Sequence, residues 1–213
     1  MTKHTRELNG RQRGEAYWFL SELFANQLDE DSVKRMASVA SNNGEEAGLA
    51  GEIFKAFIDS RDIDVLTLML AQEHTRLFGG ISEEYGPPPP YESLWREGVL
   101  MGECTVQVAR CYLEAGYEPD GRFAPLDHLV EELRFMASLS NAEYEALHSD
   151  NDELAAQLIE KQKHFLSQHL GNWIGTYSQK IAALSTETLY RSLATVTATV
   201  IAQDAEELAE RVQ

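Results

Sequence analysis

Apolar residues recur at helical spacing along almost the whole chain, and no segment alternates as a strand would. Ala16, Tyr17, Leu20, Leu23 and Phe24 form one stripe, and Ile53, Phe54, Phe57 and Ile58 another. Leu66, Met69, Leu70, Leu77 and Phe78 predict a helix ending at Gly79-Gly80. Val99, Cys104, Val108, Cys111 and Tyr112 predict a helix ending near Gly116. Its apolar residues fall on more than one face, which predicts a central position. After the turn signal Asp120-Gly121, Pro125 suits the first turn of a helix carrying Leu126, Leu129, Leu133, Met136 and Leu139. Ser140 with Glu143 matches a capping box for a short following helix. Leu154, Leu158, Phe165, Leu166, His169 and Leu170 continue the pattern to a break at Gly171, beyond which come Trp173, Ile174, Tyr177 and Ile181. A last helix begins near Ser185-Thr186-Glu187 and carries Leu189, Leu193, Val196 and Val200, in spite of β-branched residues there that weaken helix propensity. The polar, glycine-rich stretch from Ser41 to Gly51 reads as a mobile connection. The expectation is an all-α, single-domain helical bundle with a proline-rich interhelical loop.

With 43% hydrophobic and 25% charged residues, the 213-residue chain has the composition of a soluble globule with a sizeable core. No run approaches the roughly 20 apolar residues of a membrane span. The first residues, Met1 to Arg6, are not followed by an apolar signal core, so the expected location is cytoplasmic. Thirty-five acidic against 18 basic residues leave a net charge of −17, a field that repels nucleic acid and attracts cationic partners. Cys104 and Cys111 stand seven residues apart, about 10 Å of helical rise, too far for a disulfide within one helix. Neither belongs to a metal-ligand pattern, so both read as buried small apolar residues.

Motifs of catalysis are missing: there is no nucleophile elbow, phosphate-binding loop or dinucleotide fingerprint. Glu73-His74 begins EHTRL and lacks the second histidine of a zinc-protease helix. His164 and His169 are five apart, a poor spacing for chelation from one α-helix face, so both read as packing or capping residues. The residues therefore suggest a protein that is not an enzyme, and no metal or cofactor is assigned.

The irregular segment from Gly79 to Trp95 carries four consecutive prolines, Pro87 to Pro90, which form a stiff extended rod. A rigid connector accounts for the prolines. It does not account for Tyr85, Tyr91 and Trp95 interleaved with Glu83, Glu84 and Glu92, a mixture suited to a peptide that combines apolar residues with arginines. Asp127-His128 is a second constellation, at an expected helix start. By spacing alone, Asp127 is a first-turn acid and His128 an interhelical hydrogen-bond partner.

In their order along the chain these segments carry a resemblance. EHTRLFGG at 73–80 with PPYESLW at 89–95, LDHLVEELRFM at 126–136 and FLSQHLGNW at 165–173 resemble three motifs of the TorD/DmsD family of redox enzyme maturation chaperones, which are related to nitrate reductase assembly chaperones. The resemblance covers roughly residues 73–180. It implies an all-α bundle with a hinge before the C-terminal helices, here with an N-terminal lobe of about 1–120 and a C-terminal lobe of about 121–213. The implied function is to bind the twin-arginine leader or N-terminal segment of a molybdopterin-dependent oxidoreductase, delaying export and assisting cofactor insertion into the apo-form. Tyr91, Glu92, Ser93, Trp95, Asp127 and His128 would then belong to the leader-binding region, supported by Glu73, Leu77, Phe78, Gly79, Pro89 and Pro90. Some family members carry tryptophan at the position of Tyr91, which keeps an aromatic platform but alters its chemistry. Two other readings compete: a metal-dependent helical enzyme using His128 with nearby acids, and a purely structural module, for example a homodimer through a central helix.

Overall fold

A computed structural model describes residues 3–41, 53, 62–80 and 85–211. The expected connection after Ser41, and the positions Phe54, Phe57 and Ile58, lie outside the described residues. Those that are described form helices: α1 (Lys3–Ala25), α2 (Glu30–Ser41), α3 (Ile63–Phe78), α4 (Glu92–Glu97), α5 (Glu103–Ala115), α6 (Leu129–His148), α7 (Asp152–Phe165), a π-helical segment (Leu166–Leu170), α8 (Gly171–Leu184) and α9 (Thr188–Glu210). Among the described residues there is no strand, and one isolated antiparallel bridge pairs Tyr91 with His128. The protein is all-α.

The chain clusters into two compact units, both discontinuous. One comprises Met1–Glu22, Pro90–Ile174 and Val200–Gln213; the other comprises Leu23–Pro89 and Gly175–Thr199. The units interleave along the chain.

The centre of the first unit is α6, not α5. Around the whole circumference of α6, Leu129, Val130, Leu133, Phe135, Met136, Leu139 and Leu147 are buried together with Glu131, Glu132, Arg134, Ser140 and Glu143. Helix α5 buries one face only, through Cys104, Val108 and Tyr112, and leaves Leu113 81% exposed. Val99 precedes α5 rather than belonging to it, and Gly116, with φ of 68°, closes its C-terminus. Tyr112, Phe135 and Phe165 pack into one aromatic cluster, with ring centroids 4.7 and 4.8 Å from Phe135. Ser140 and Glu143 do not cap a new helix. They lie inside α6, where Glu143 accepts hydrogen bonds from Arg13 (3.0 Å), Gln162 (2.8 Å) and Arg211 (3.0 Å). A carboxylate in a helix interior is tolerated because donors from three other segments surround it.

Helix α6 also starts later than the proline suggested. Pro125, which follows a cis peptide, lies ahead of the helix, and His128 is the N-cap: its Nδ1 accepts from the Val130 amide at 3.2 Å. Histidine displaces the usual serine or aspartate because its ring nitrogen reaches the same orphan donor. Gly171 is no break either. Helix α7 runs through the π segment into α8, and the Gly171 amide donates to the Leu166 carbonyl, five residues back.

In the second unit, Asp62 caps α3 by accepting from the Asp64 amide at 3.0 Å, and Leu66, Leu70, Leu77 and Phe78 form the buried stripe. Phe24 and Tyr190 pack on Phe78 with centroids 5.2 and 5.6 Å away. The expected end of α3 at Gly79-Gly80 is observed. Gly80 has φ of 57°, and a Cβ there would stand 2.7 Å from the ring of Pro89, so glycine lets the proline rod lie against this turn.

Candidate peptide-binding surface

The structure brings together the two constellations that are 36 residues apart in sequence. The Glu92 amide donates to the Asp127 carbonyl at 2.9 Å, and the Leu129 amide donates to the Pro90 carbonyl at 2.8 Å. These bonds flank Tyr91 and His128, which therefore form a non-hydrogen-bonded antiparallel pair, the geometry in which facing side chains approach closest. The rings meet edge to face with centroids 4.9 Å apart. Phe123 stacks on the other side of His128 at 4.8 Å. The Arg134 guanidinium lies 5.4 Å from the Phe123 ring and 5.4 Å from that of Trp18. The result is a ladder of Tyr91, His128, Phe123, Arg134 and Trp18, with Trp18 53% exposed and Tyr91 half-buried.

The rim of the ladder is acidic. Arg134 is held by Asp120 (2.7 Å) and Glu22 (3.0 Å), both partly exposed, and the Asp120 carboxyl is held down at about 2, chiefly by the Arg122 amide, against a cost of burial, with Arg122 and Arg134 assisting. Burial holds His128 down at about 4, although Asp127 pulls the other way. The imidazole is neutral at pH 7, and with Nδ1 engaged by the Val130 amide its remaining proton sits on Nε2. Burial and the neighbouring Asp127 raise the Tyr91 phenol, which donates to the Ala124 carbonyl at 3.2 Å.

The other predicted residues are placed differently. Asp127 is fully buried: one carboxylate oxygen accepts from the Ser93 amide (2.8 Å) and the other from the Thr105 hydroxyl (2.9 Å). It caps α4 from outside that helix, since the N-cap residue Tyr91 makes no side-chain cap bond. Glu92 is buried against Arg96 and His169, the latter at 3.0 Å. Ser93 is buried, with no hydrogen-bond partner for its hydroxyl among the described residues, and Trp95 is half-buried on α4. Glu73, Leu77, Phe78, Gly79 and Pro89 belong to the second unit, and Pro90 opens the next stretch of the first. Glu73 accepts from Arg76 twice at 2.7 Å and from the Thr186 amide at 2.8 Å, so its role there is to join segments of that unit. Pro87 and Pro88 line a hollow of about 380 Å³ with Arg76, Tyr85 and Lys180.

Phe123, Trp18 and the buried Arg134 between them are the ladder residues that sequence reasoning missed. Trp18 carries a legible signal, an aromatic off the Tyr17/Leu20 stripe and therefore pointing away from the core. Phe123 has none beyond its place after the Asp120-Gly121 turn. The metal-dependent reading of His128 finds no support: among the described residues it belongs to no cluster of His, Cys, Asp and Glu able to hold an ion. No helix among the described residues is long and apolar enough to cross a membrane.

Comparison with known proteins adds to this geometry. Residues 42–178 match the family model described as nitrate reductase delta subunit. The chaperone protein TorD of Vibrio cholerae O395 is 28% identical over 95% of this chain and 94% of its own length. TorD of Shewanella pealeana is 27% identical over 91% of this chain and 88% of its own. A crystal structure assigned to a redox enzyme maturation protein of Archaeoglobus fulgidus aligns with a TM-score of 0.48 at 23% identity, covering 92% of this chain and 93% of that one.

Proposed function

Because this chain belongs to the nitrate reductase delta subunit family, and is a maturation chaperone rather than a catalyst, we propose that it acts in the cytoplasm on a molybdopterin-dependent oxidoreductase. It binds the twin-arginine leader or N-terminal segment of that enzyme's apo-form, delays its export and keeps it open for cofactor insertion. The observation that carries the reading is the Tyr91–His128 bridge, which joins the proline-loop motif to the Asp-His motif and sets their rings in one partly exposed ladder. A leader needs two kinds of contact. Its apolar part is held by burial against rings, and its arginines by charge-assisted hydrogen bonds to carboxylates. The ladder supplies the first and its rim the second, through Asp120 and Glu22. Because Asp127 and Glu92 are buried and already engaged, their part in recognition is to position Tyr91 and α4 rather than to touch the peptide. Helix α4 also runs into an exposed apolar turn, Val99, Leu100 and Met101, the last 74% exposed.

The test is calorimetric titration of the full chain with synthetic twin-arginine leaders of molybdopterin oxidoreductases. Binding is expected to weaken with salt. Tyr91→Ala and Phe123→Ala are expected to weaken it by about tenfold or more, the loss typical of an aromatic anchor. Absence of binding to every such peptide, or unchanged affinity in both variants, would overturn the reading.

A further inference from the structure

The spacing of His164 and His169 argued against chelation, because residues five apart on an α-helix point about 140° from one another. The backbone removes that objection. The π segment Leu166–Leu170 carries an i→i+5 hydrogen bond from Gly171 to Leu166, and its wider turn swings His169 toward the side of His164. The two ring centroids stand 6.4 Å apart. Cys111, from α5, is the third member. One ligand atom from each of the three residues lies within 4.8 Å of the others. Cys111 is half-buried, His164 exposed and His169 buried, so the group is held at the base and open at the rim.

The surroundings are those of a prepared ligand set. His169 Nδ1 faces Glu92 Oε2 at 3.0 Å, which orients the ring and leaves Nε2 to bind. Metal-bound histidines are typically held in this way by a carboxylate behind the ring. Glu92 is itself fixed by Arg96, which also donates to the Gln168 carbonyl at 2.8 Å, within the π segment. Asn172 donates to the Ser167 carbonyl at 2.6 Å, a further bond onto the π segment. At Gly171 a Cβ would stand 2.4 Å from the Leu166 carbonyl oxygen, so the tight end of the segment requires glycine.

We propose that Cys111, His164 and His169 form a zinc-binding site with three protein ligands and an open position at its exposed edge. One thiolate with two imidazoles suits a borderline-soft ion rather than magnesium or calcium. On binding, the Cys111 thiol and His169 Nε2 each give a proton to solvent, and the sulfur and the ring nitrogen take the metal in its place. A bound ion would tie α5 to the α7–π junction and, through Glu92, to the helix that opens at Tyr91. The site stands on its own geometry and does not depend on leader binding.

The experiment uses the full, untagged chain after removal of metals with a chelator. Zn²⁺ is titrated calorimetrically, and Co²⁺ serves as a spectroscopic probe. One equivalent is expected, with a thiolate-to-cobalt charge-transfer band and the strong visible absorption of four-coordinate cobalt. Cys111→Ser should abolish the charge-transfer band, and Cys104→Ser should leave it intact. His164→Ala, at an exposed position whose change spares the core, should weaken Zn²⁺ binding about tenfold or more. Glu92→Gln, which acts through His169, should weaken it about 10–100-fold. Zn²⁺ should raise the melting temperature of the parent more than that of His164→Ala. Binding with no thiolate band, binding unchanged in both Cys111→Ser and His164→Ala, or several weak equivalents spread over the acidic surface would each overturn the proposal.

Discussion

Replacing Asp127 by alanine tests whether this residue holds the fold of the motif or waits for a ligand. Its two carboxylate oxygens accept from the Ser93 amide at 2.8 Å and the Thr105 hydroxyl at 2.9 Å, in a fully buried position. The first bond is a helix cap, worth about 0.5–2 kcal/mol. The second is a hydrogen bond to a charged group, worth about 1.5–3 kcal/mol. Their joint loss comes to about 2–5 kcal/mol, which lowers the melting temperature of a chain of this size by roughly 4–20 °C. The backbone bond from Glu92 to the Asp127 carbonyl survives the substitution, so the bridge itself remains. Thermal melting by circular dichroism, with urea denaturation for comparison, reads the effect. Thr105→Val removes the second bond alone and should cost less. Tyr91→Ala, at a half-buried surface position, should cost least. A melting temperature for Asp127→Ala within about 1 °C of the parent would refute the clamp and return the carboxylate to direct ligand contact.

Three further outcomes are expected. Burial holds His74 and His128 near 4 in the folded chain, below the usual 6.5, so the unfolded chain takes up protons first and stability falls as pH drops from about 6.5 to 4. Each histidine contributes at most about 3 kcal/mol to that fall; His128→Asn, which keeps a cap acceptor, should flatten the urea-midpoint profile across this window, and an unchanged profile would contradict the assignment. Glu143→Ala removes a buried acceptor shared by Arg13, Gln162 and Arg211 and should destabilise by about 3–5 kcal/mol in urea denaturation, with Glu143→Gln milder. Gly171→Ala forces a Cβ against the Leu166 carbonyl and should destabilise by about 1–3 kcal/mol, whereas Gly175→Ala, with open space around it, should be neutral or stabilise by up to about 1 kcal/mol through helix propensity.

Periodicity alone was enough for the fold class and for several boundaries. The end of α3 at Gly79-Gly80 and the close of α5 at Gly116 follow from local chemistry, apolar spacing followed by glycine, and the structure agrees. The last helix forms through its β-branched run as expected, because Leu189, Leu193 and Ile201 are buried and packing outweighs a local penalty. The family motifs, too, could be read directly from residues 73–95 and 126–136.

Tertiary structure decided what depends on partners distant in sequence. Which helix is central was one such matter: α6 carries Glu131, Glu132, Arg134 and Glu143 inside, and a pattern that scores polar residues as surface cannot anticipate donors brought by Arg13, Tyr117 and Trp173. The direction of Asp127 was another. By spacing it read as a first-turn acid of its own helix, and only the approach of Ser93 and Thr105 shows its carboxylate engaged on α4 and α5 instead. The pairing of His164 with His169 hung on a single π turn, which no side-chain spacing announces, because the extra residue in the turn is a property of backbone hydrogen bonding. Sequence determines local periodicity, since each helix needs only its own residues. The fate of a buried charge or a ring nitrogen is settled by whatever the folded chain places within 3 Å of it.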